Sequence, residues 1–338
     1  MSTANAVAGV LWVGVTLYAV FGGADFGAGF WSLLAGGSER GRRARALIDW
    51  AIGPVWESNH VWLIFVLVVL WTAFSAAFAA IFSTLFIPLS LAALGIVFRG
   101  SGFAFHHLAP SARDRRVSQL LFGLSSLLTP FFMGTVVGAI ASGRVPIGNA
   151  EGDPVTSWVN AASLLTGALF VATGAYLAAV FLVSDSRRAG DADLERYFTT
   201  RALAAAGATG GLALAGILVF RADARFIFDG LVGEALPLVI ASAVCGLGVL
   251  ALLQRGAQRG ARVLAVGAVA AVVAGWGVAQ YPYLLPKALT ISAGAADPAS
   301  LTAVLIVFGV AVLLVIPSLG LLYVLTQRSM LEEEGEAS

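Results

Sequence analysis

The sequence predicts an all-α polytopic membrane protein with about nine transmembrane helices. Of its 338 residues, 59% are hydrophobic and only 12% are charged, against about 25% charged residues in an ordinary soluble domain. Its mean hydropathy is +0.90. Apolar runs of about 20 residues, each long enough to cross a hydrocarbon core, alternate with short polar loops. We therefore expect a chain built from membrane-spanning helices, without room for a separate water-soluble domain.

The apolar runs define the predicted helices in order. They lie near residues 7–34, 50–74, 78–100, 117–141, 158–183, 199–220, 234–253, 262–281 and 300–325. We expect one integral membrane domain over 1–338, with helices one to four at 7–141, helices five to eight at 158–281 and a last helix at 300–325. The first run is too long for a signal peptide and lacks a basic start, so we interpret it as a retained helix.

The distribution of arginine and lysine predicts the orientation of the chain. When loops are assigned alternately to the two sides, only Arg144, Arg221, Arg225 and Lys287 of the 20 basic residues fall on the side of the N-terminus. Cytoplasmic loops carry the excess of basic residues. We therefore expect the N-terminus outside and the C-terminus in the cytoplasm of a bacterial cell, with an odd number of crossings.

Asp25 is the first of two carboxylates that the sequence places inside a predicted helix, in the stretch "YAVFGGADFGAGFW". An ionised carboxylate in hydrocarbon costs about 2.5 to 3.5 kcal/mol on insertion scales, so such a residue faces protein or water. Gly22 and Gly29 share a helix face with Asp25, and glycines allow another helix to approach closely. We expect Asp25 to point into a packed helix interface.

Glu57 is the second embedded acid, in "IGPVWESNHVWL". Pro54 suits the first turn of a helix, which places Glu57 about one turn from the cytoplasmic end, with His60 one turn deeper on the same face. Two acids at different depths and a histidine predict a proton-entry path from the cytoplasm. The alternative is structural: either acid forms a hydrogen bond to a neighbouring helix or pairs with Arg99.

Several classes of function are disfavoured. The single cysteine, Cys245, leaves no internal disulfide or thiolate cluster, and the formal net charge of +1 gives no signal for nucleic-acid binding. Motifs of soluble hydrolases and nucleotide-binding enzymes are missing from the sequence. His60 has no obvious facing partner except Met133, so we expect no haem ligation and no metal site in this chain.

The chain resembles the second subunit of cytochrome bd quinol oxidases. The resemblance rests on "GGADFGAGFW" at 22–31, "IGPVWESNHVWLI" at 52–64 and "RGSGFAF" at 99–105, and it continues through "LLTPFFMGTVVGAI", "GAYLA" and "YPYLLPKALTI". These motifs follow one another in the order and spacing of that family and cover essentially the whole chain. The combination of GxDFGxG with PxWxxN is specific, whereas either motif alone is weak.

The resemblance implies a fold and a function. The fold is two four-helix bundles plus one peripheral helix. The chain would be a haem-free subunit of a quinol:oxygen oxidoreductase, partnered by a subunit I that carries b-type and d-type haems, and in some members by a small single-helix subunit or a structural quinone. Quinol and dioxygen are the substrates of the complex. Asp25 and Glu57 match acids of the family, and Glu57 occupies a place associated with a proton channel.

The sequence departs from the family at Ala104, where many members have an acid, and His106 is a candidate substitute for it. Two other functions remain open on the residues alone. Helices one to four and five to eight could be repeats of a proton-coupled secondary transporter. The chain could also be a purely structural assembly subunit.

Overall fold

The computed structural model describes residues 2–52, 56–108, 112–257 and 259–327. Thirteen α-helices and one short β-hairpin account for nearly all of this part of the chain. The elements are α1 (Thr3–Leu34), α2 (Glu39–Ile52), α3 (Trp56–Ala73), α4 (Ser75–Thr84), α5 (Phe86–Leu108), α6 (Ala112–Ala141), α7 (Ala161–Arg188), α8 (Ala192–Asp223), α9 (Arg225–Val232), α10 (Leu236–Gln254), α11 (Ala261–Gln280), β1 (Tyr283–Leu285), β2 (Leu289–Thr290), α12 (Ile291–Gly294) and α13 (Pro298–Gln327).

The all-α membrane architecture predicted from the sequence is confirmed. Among the described residues, seven helices are long and apolar enough to cross a membrane, or eight if α3 and α4 count as one broken span. α5 contributes a shorter apolar stretch, Phe86–Gly102. Each of the nine predicted runs therefore contains a long helix, although not always with the predicted bounds.

The third predicted helix is wrong at its start. Residues 78–84 belong to α4, which turns by 117° from α3, and α5 begins only at Phe86. The chain bends at Phe74, whose φ and ψ are −139° and 52° and whose side chain is fully buried. The bend frees the carbonyl of Ala73, which accepts a hydrogen bond of 2.9 Å from the backbone N–H of Ala296. Hydropathy cannot show this bend, because the apolar run continues through it.

A helix break with nearly the same backbone angles occurs in the second half of the chain. α8 ends at Asp223, and the next residue, Ala224, has φ and ψ of −137° and 52°; the short α9 follows before α10 begins. The order of a long helix, a bent short helix and a further pair of long helices is thus found in both halves. α1 packs on α3, α6 and α7, while α7 packs on α8 and α11, so the two halves meet mainly through α1, α6 and α7.

α1 and α7 approach so closely that their backbones touch. Gly23 and Gly27 of α1 lie against Gly174 of α7, and a Cβ built on Gly27 would overlap the carbonyl of Gly174. A Cβ on Gly174 would lie 2.7 Å from the carbonyl oxygen of Gly23. Small residues at helix crossings allow this packing in a membrane. The contact joins the helix that carries Asp25 to the second half of the protein.

One end of the helix array is rich in arginine. We call it the basic end and define it by α2, the α7–α8 loop and the α10–α11 loop. Residues 39–52, part of which was predicted as a basic loop, form the helix α2. Ala44, Leu47 and Ile48 are buried, and their spacing places them on one face of α2, against α7 and α8.

Ion pairs connect the elements of the basic end. Arg40 of α2 binds Asp193 at 2.8 Å, and Arg43 binds Asp191. The hydrogen bond from Arg43 holds the pKa of Asp191 below its ordinary value of 3.8, and backbone N–H groups at the start of α8 add to this effect. Because the pKa is lowered, the stabilisation is present above the ordinary pKa and is lost as the pH falls through the lowered value. The pair is therefore charged at neutral pH.

The α1–α7 contact generates a prediction. In a Gly27→Leu variant the new side chain has no room unless the two helices move apart, and overpacking of this kind costs about 1–3 kcal/mol. We expect less monodisperse protein and a lower unfolding temperature in detergent. Gly9→Leu on the same helix is the matched control, because a Cβ at Gly9 meets no atom within 4 Å. Equal unfolding temperatures for the Gly27→Leu variant and the unmodified protein would contradict the close contact.

Candidate functional site

Asp25 forms a buried ion pair with Arg99. Asp25 lies on α1 and Arg99 on α5, and Nη2 of Arg99 is 2.7 Å from Oδ1 of Asp25. The same nitrogen donates a hydrogen bond of 3.0 Å to the backbone carbonyl of Asp25. The two side chains are only 2% and 1% exposed. Such a pair is retained at low exposure only where good geometry and further hydrogen bonds offset the loss of water around both charges.

Those further contacts come from α1 and α6. Nη1 of Arg99 donates a hydrogen bond to the hydroxyl of Ser126. The guanidinium carbon lies 4.9 Å from the ring centroid of Phe26 and 4.3 Å from that of Phe122, which is within the range of a cation–π interaction. Gly29 leaves the space for this arrangement, because a Cβ there would lie 2.8 Å from Nη1 of Arg99. Arg99 is therefore held by three helices.

The ion pair leaves one acceptor and one donor available. Oδ2 of Asp25 and Nε of Arg99 are buried, and neither has a hydrogen-bond partner among the residues that the structure describes. Buried polar atoms of this kind are usually satisfied by protein or by ordered water. Oδ2 is thus an acceptor of the carboxylate that Arg99 does not occupy.

His60 lies next to this pair. Its ring centroid is 5.9 Å from that of Phe26, and the two rings meet edge-on at 71°. Phe26 directly follows Asp25 in the sequence, and the guanidinium of Arg99 lies over the ring of Phe26. The ring of Phe26 therefore contacts both His60 and Arg99, the partner of Asp25.

Glu57 lies in the first turn of α3, three residues before His60, and so on the same helix face. Its side chain is outside the described residues, as are the side chains of Ala104 and His106. The backbone of α3 places Glu57 nearer the start of that helix than His60. Its contacts, and those of the other two side chains, stay predictions.

The sequence interpretation missed Tyr18 and Ser126. Tyr18 is half-buried and lies within electrostatic reach of Asp25 and Arg99, and its hydroxyl donates a hydrogen bond of 3.7 Å to Sδ of Met133. Tyr18 and Asp25 are seven residues apart, so helical periodicity could have placed both on one face of α1. No comparable signal identified Ser126, because one serine in an apolar helix is compatible with many environments.

The site is thus a buried carboxylate–guanidinium pair between α1, α5 and α6, with a histidine of α3 beside it. Within the described ranges, no group of three or more histidine, cysteine, aspartate or glutamate side chains is placed to hold a metal ion. The chemistry that the observed groups support is the holding of charge and the binding of water or protons in an otherwise apolar setting.

Comparison with known proteins shows which family this chain resembles. The family model described as cytochrome bd terminal oxidase subunit II matches residues 3–326. A Bacillus subtilis (strain 168) protein, whose name marks it as an inferred cytochrome bd menaquinol oxidase subunit II, is 23% identical over 320 residues, which cover 91% of each chain. Subunit 2 of the Escherichia coli (strain K12) cytochrome bd-I ubiquinol oxidase is 30% identical over 135 residues, or 40% of this chain and 34% of that protein.

A solved structure shares the fold. The bd oxidase from Geobacillus thermodenitrificans contains a chain that superposes with a TM-score of 0.76 at 27% identity, covering 96% of this chain and 98% of that chain. The family match extends over nearly all the helices described above, including those that hold Asp25, Arg99 and His60. This chain belongs to the cytochrome bd terminal oxidase subunit II family.

Proposed function

We propose that this chain is the haem-free second subunit of a terminal oxidase that oxidises quinol and reduces dioxygen to water. In this proposal the b-type and d-type haems are held by subunit I, and this chain supports that subunit and admits protons from the cytoplasm. The observation that carries the proposal is the buried Asp25–Arg99 pair with Oδ2 of Asp25 available, next to His60. Quinol is the substrate class named for the relatives.

The orientation of the chain is part of the proposal. The segments that the alternating assignment places on the cytoplasmic side are in contact with one another at the basic end. Arg40 of α2 binds Asp193 of α8. Arg187 of α7 donates a hydrogen bond of 2.5 Å to the backbone carbonyl of Ala257 in the α10–α11 loop. An end rich in arginine is expected in the cytoplasm. The N-terminus then lies outside and the C-terminus inside.

The proposed route runs from the basic end towards Asp25. Glu57 lies in the first turn of α3 and His60 one turn further along it. Asp25 lies nine residues before the end of α1 at Leu34, or about 13 Å from that end at 1.5 Å per residue. Acids and histidines at successive depths are the groups from which intramembrane proton relays are built. Each would bind a proton in turn, with water between them.

The chain's own residues give the relay its electrostatic setting. Arg99 provides a fixed positive charge that offsets the negative charge of Asp25, so that the pair can remain inside the membrane. Phe26 and Phe122 cover the guanidinium with their rings. Proton binding at Oδ2 would leave the contact between Oδ1 and Arg99 intact.

A purely structural role is the second candidate, and it is favoured by one observation. Arg99 binds both the side chain and the backbone carbonyl of Asp25 and also reaches Ser126, so the pair joins three helices whether or not a proton moves. The transporter alternative does not explain the match to an oxidase family over residues 3–326. The remaining choice is between proton entry and support alone.

Partnership with a haem-bearing chain has a direct test. We expect this chain, isolated gently from native membranes, to co-purify with a larger membrane subunit whose optical spectrum shows b- and d-type haem. Fully folded, haem-free protein that moves a solute on its own would contradict the oxidase assignment.

The role of Glu57 is tested in the assembled complex. A Glu57→Ala variant should retain its haem content but consume oxygen about tenfold more slowly, equivalent to about 1.4 kcal/mol of added barrier. Glu57→Asp should restore most of the rate, because a carboxylate is kept. Glu39→Gln is the matched control, since Glu39 is an exposed acid of α2 at the basic end. Normal oxygen consumption by fully assembled Glu57→Ala complex would refute a proton role for this residue.

The contribution of the ion pair to stability is tested by a double-mutant cycle of Asp25→Leu, Arg99→Met and the double variant. Arg99→Met alone leaves the carboxylate of Asp25 buried without its partner, and we expect a loss of about 3–5 kcal/mol. Combined Asp25→Leu and Arg99→Met removes both charges and should lose less than Arg99→Met alone. The exposed pair of Glu39 and Arg42 provides the comparison, with an expected coupling of about 0–1 kcal/mol. Unfolding in detergent, followed by circular dichroism, measures each variant, and equal losses for the single and double variants would contradict a strong buried pair.

A further inference from the structure

An apolar cavity, open at the surface where Ala204 and Ala208 are exposed, lies between α1, α6, α7 and α8. Its volume is ≈ 430 Å³, within the range of about 300–1,000 Å³ that is typical of small-molecule pockets. Its lining is apolar, with aromatic side chains such as Trp31 and Phe131 on one side and the alanines of α8, including Ala204 and Ala208, on the other. An apolar cavity does not hold water well. Hydrocarbon is therefore the occupant that its chemistry favours.

Arg201 lies on α8 just beyond the lining of this cavity, on the side of the basic end. It precedes Ala204, Ala205 and Ala208 by three, four and seven residues, so all four share one face of α8. Its guanidinium carbon lies 5.9 Å from the ring centroid of Trp31, which itself lines the cavity. The cavity is thus lined by apolar side chains, and a cationic group lies beside one of them, Trp31.

The charge of Arg201 is not balanced by a neighbouring acid. Within the described part of the chain, every carboxylate lies more than 4 Å from its guanidinium nitrogens. Nη1 donates a hydrogen bond of 3.2 Å to the carbonyl of Tyr197, whereas Nε is buried with no partner among the described residues. The closest aromatic neighbour of Arg201 is also uncharged: the guanidinium carbon lies 3.2 Å from the ring centroid of Tyr197. An anionic group at this position would balance the charge.

The position of Arg201 along α8 matches the level of lipid headgroups. Residues 202–220 contain no charged side chain, and this length is close to the about 20 residues that cross a hydrocarbon core. Arg201 is therefore the charged residue at the boundary of the apolar segment. Arginine side chains at such boundaries extend towards the polar surface of the bilayer.

We propose that this cavity binds one anionic phospholipid. An acyl chain fills the space between Trp31 and the alanines of α8, and the phosphodiester accepts charge-assisted hydrogen bonds from Arg201. Guanidinium groups are well suited to phosphate, because their planar set of donors matches two phosphate oxygens. The residues named for this site are not part of the proposed proton route. The lipid would bind where helices from both halves of the chain meet.

Native mass spectrometry of the purified membrane complex containing this chain tests the proposal. After removal of bound lipid, dioleoyl phosphatidylglycerol or the zwitterionic dioleoyl phosphatidylcholine is added in detergent. The unmodified complex should retain one phosphatidylglycerol in preference to phosphatidylcholine. Arg201→Ala should lower that retention about tenfold, the loss expected for one hydrogen bond to a charged group, and Arg201→Lys should retain part of the preference.

Two further variants distinguish binding at this site from a general attraction of acidic lipid to the arginines of the basic end. Ala208→Phe fills the cavity without altering any charge and should also reduce retention. Arg42→Ala removes an exposed arginine of α2, 63% exposed at the same end of the protein, and should bind as the unmodified complex does. Three results would each overturn the proposal. The Arg201→Ala complex could retain as much lipid as the unmodified complex, or Arg42→Ala could lose as much lipid as Arg201→Ala. Decylubiquinone could also displace the lipid with an affinity that does not depend on Arg201.

Discussion

The burial of the Asp25–Arg99 pair is the constraint on which the first half of the protein depends. Two charges taken out of water must each be compensated, and here the compensation comes from α1, α5 and α6 together. Gly29 leaves room for the guanidinium, and Gly27 lets α7 close over the other side of α1. Loss of one of these contacts would leave a buried charge with less compensation. The polar interaction and the close helix packing therefore require one another.

The two halves share a plan but differ in what they bury. Each half contains a long helix that bends at a residue with nearly the same backbone angles, Phe74 in the first and Ala224 in the second. In the first half the buried charges lie deep, at Asp25 and Arg99. In the second half Asp185 binds Arg262 at 2.5 Å at the basic end, near the end of α7. The proposed proton route thus belongs to the first half, whereas the second half supplies packing and the alanine-lined face of α8.

Much of this fold follows from simple rules applied to the sequence. Length and hydropathy located the long helices, since a crossing requires about 20 apolar residues. Glycine spacing around Asp25 predicted an interface, and Arg99 was one of its candidate partners. The 117° turn between α3 and α4 was not predictable in this way, because it depends on the burial of Phe74 and on a hydrogen bond from the distant Ala296.

Other features were missed for physical reasons of the same kind. The arginines of residues 39–45 suggested a loop, although Ala44, Leu47 and Ile48 have the spacing of an amphipathic helix. From the sequence, Arg201 was interpreted only as a basic residue on the cytoplasmic side. The sequence cannot show whether an acid lies near it, because that depends on how the helices pack together. Tertiary contacts thus decided what local patterns left open.

The most direct test of a proton route through this chain is an experimental structure of the complete oxidase at a resolution that shows ordered water. A route through Asp25 predicts a water molecule bonded to Oδ2 of that residue, and a chain of further water molecules leading past His60 and Glu57 to the basic end. A dry, apolar surrounding for Oδ2, with Glu57 sealed from the aqueous phase, would contradict it and leave the ion pair with a structural role alone.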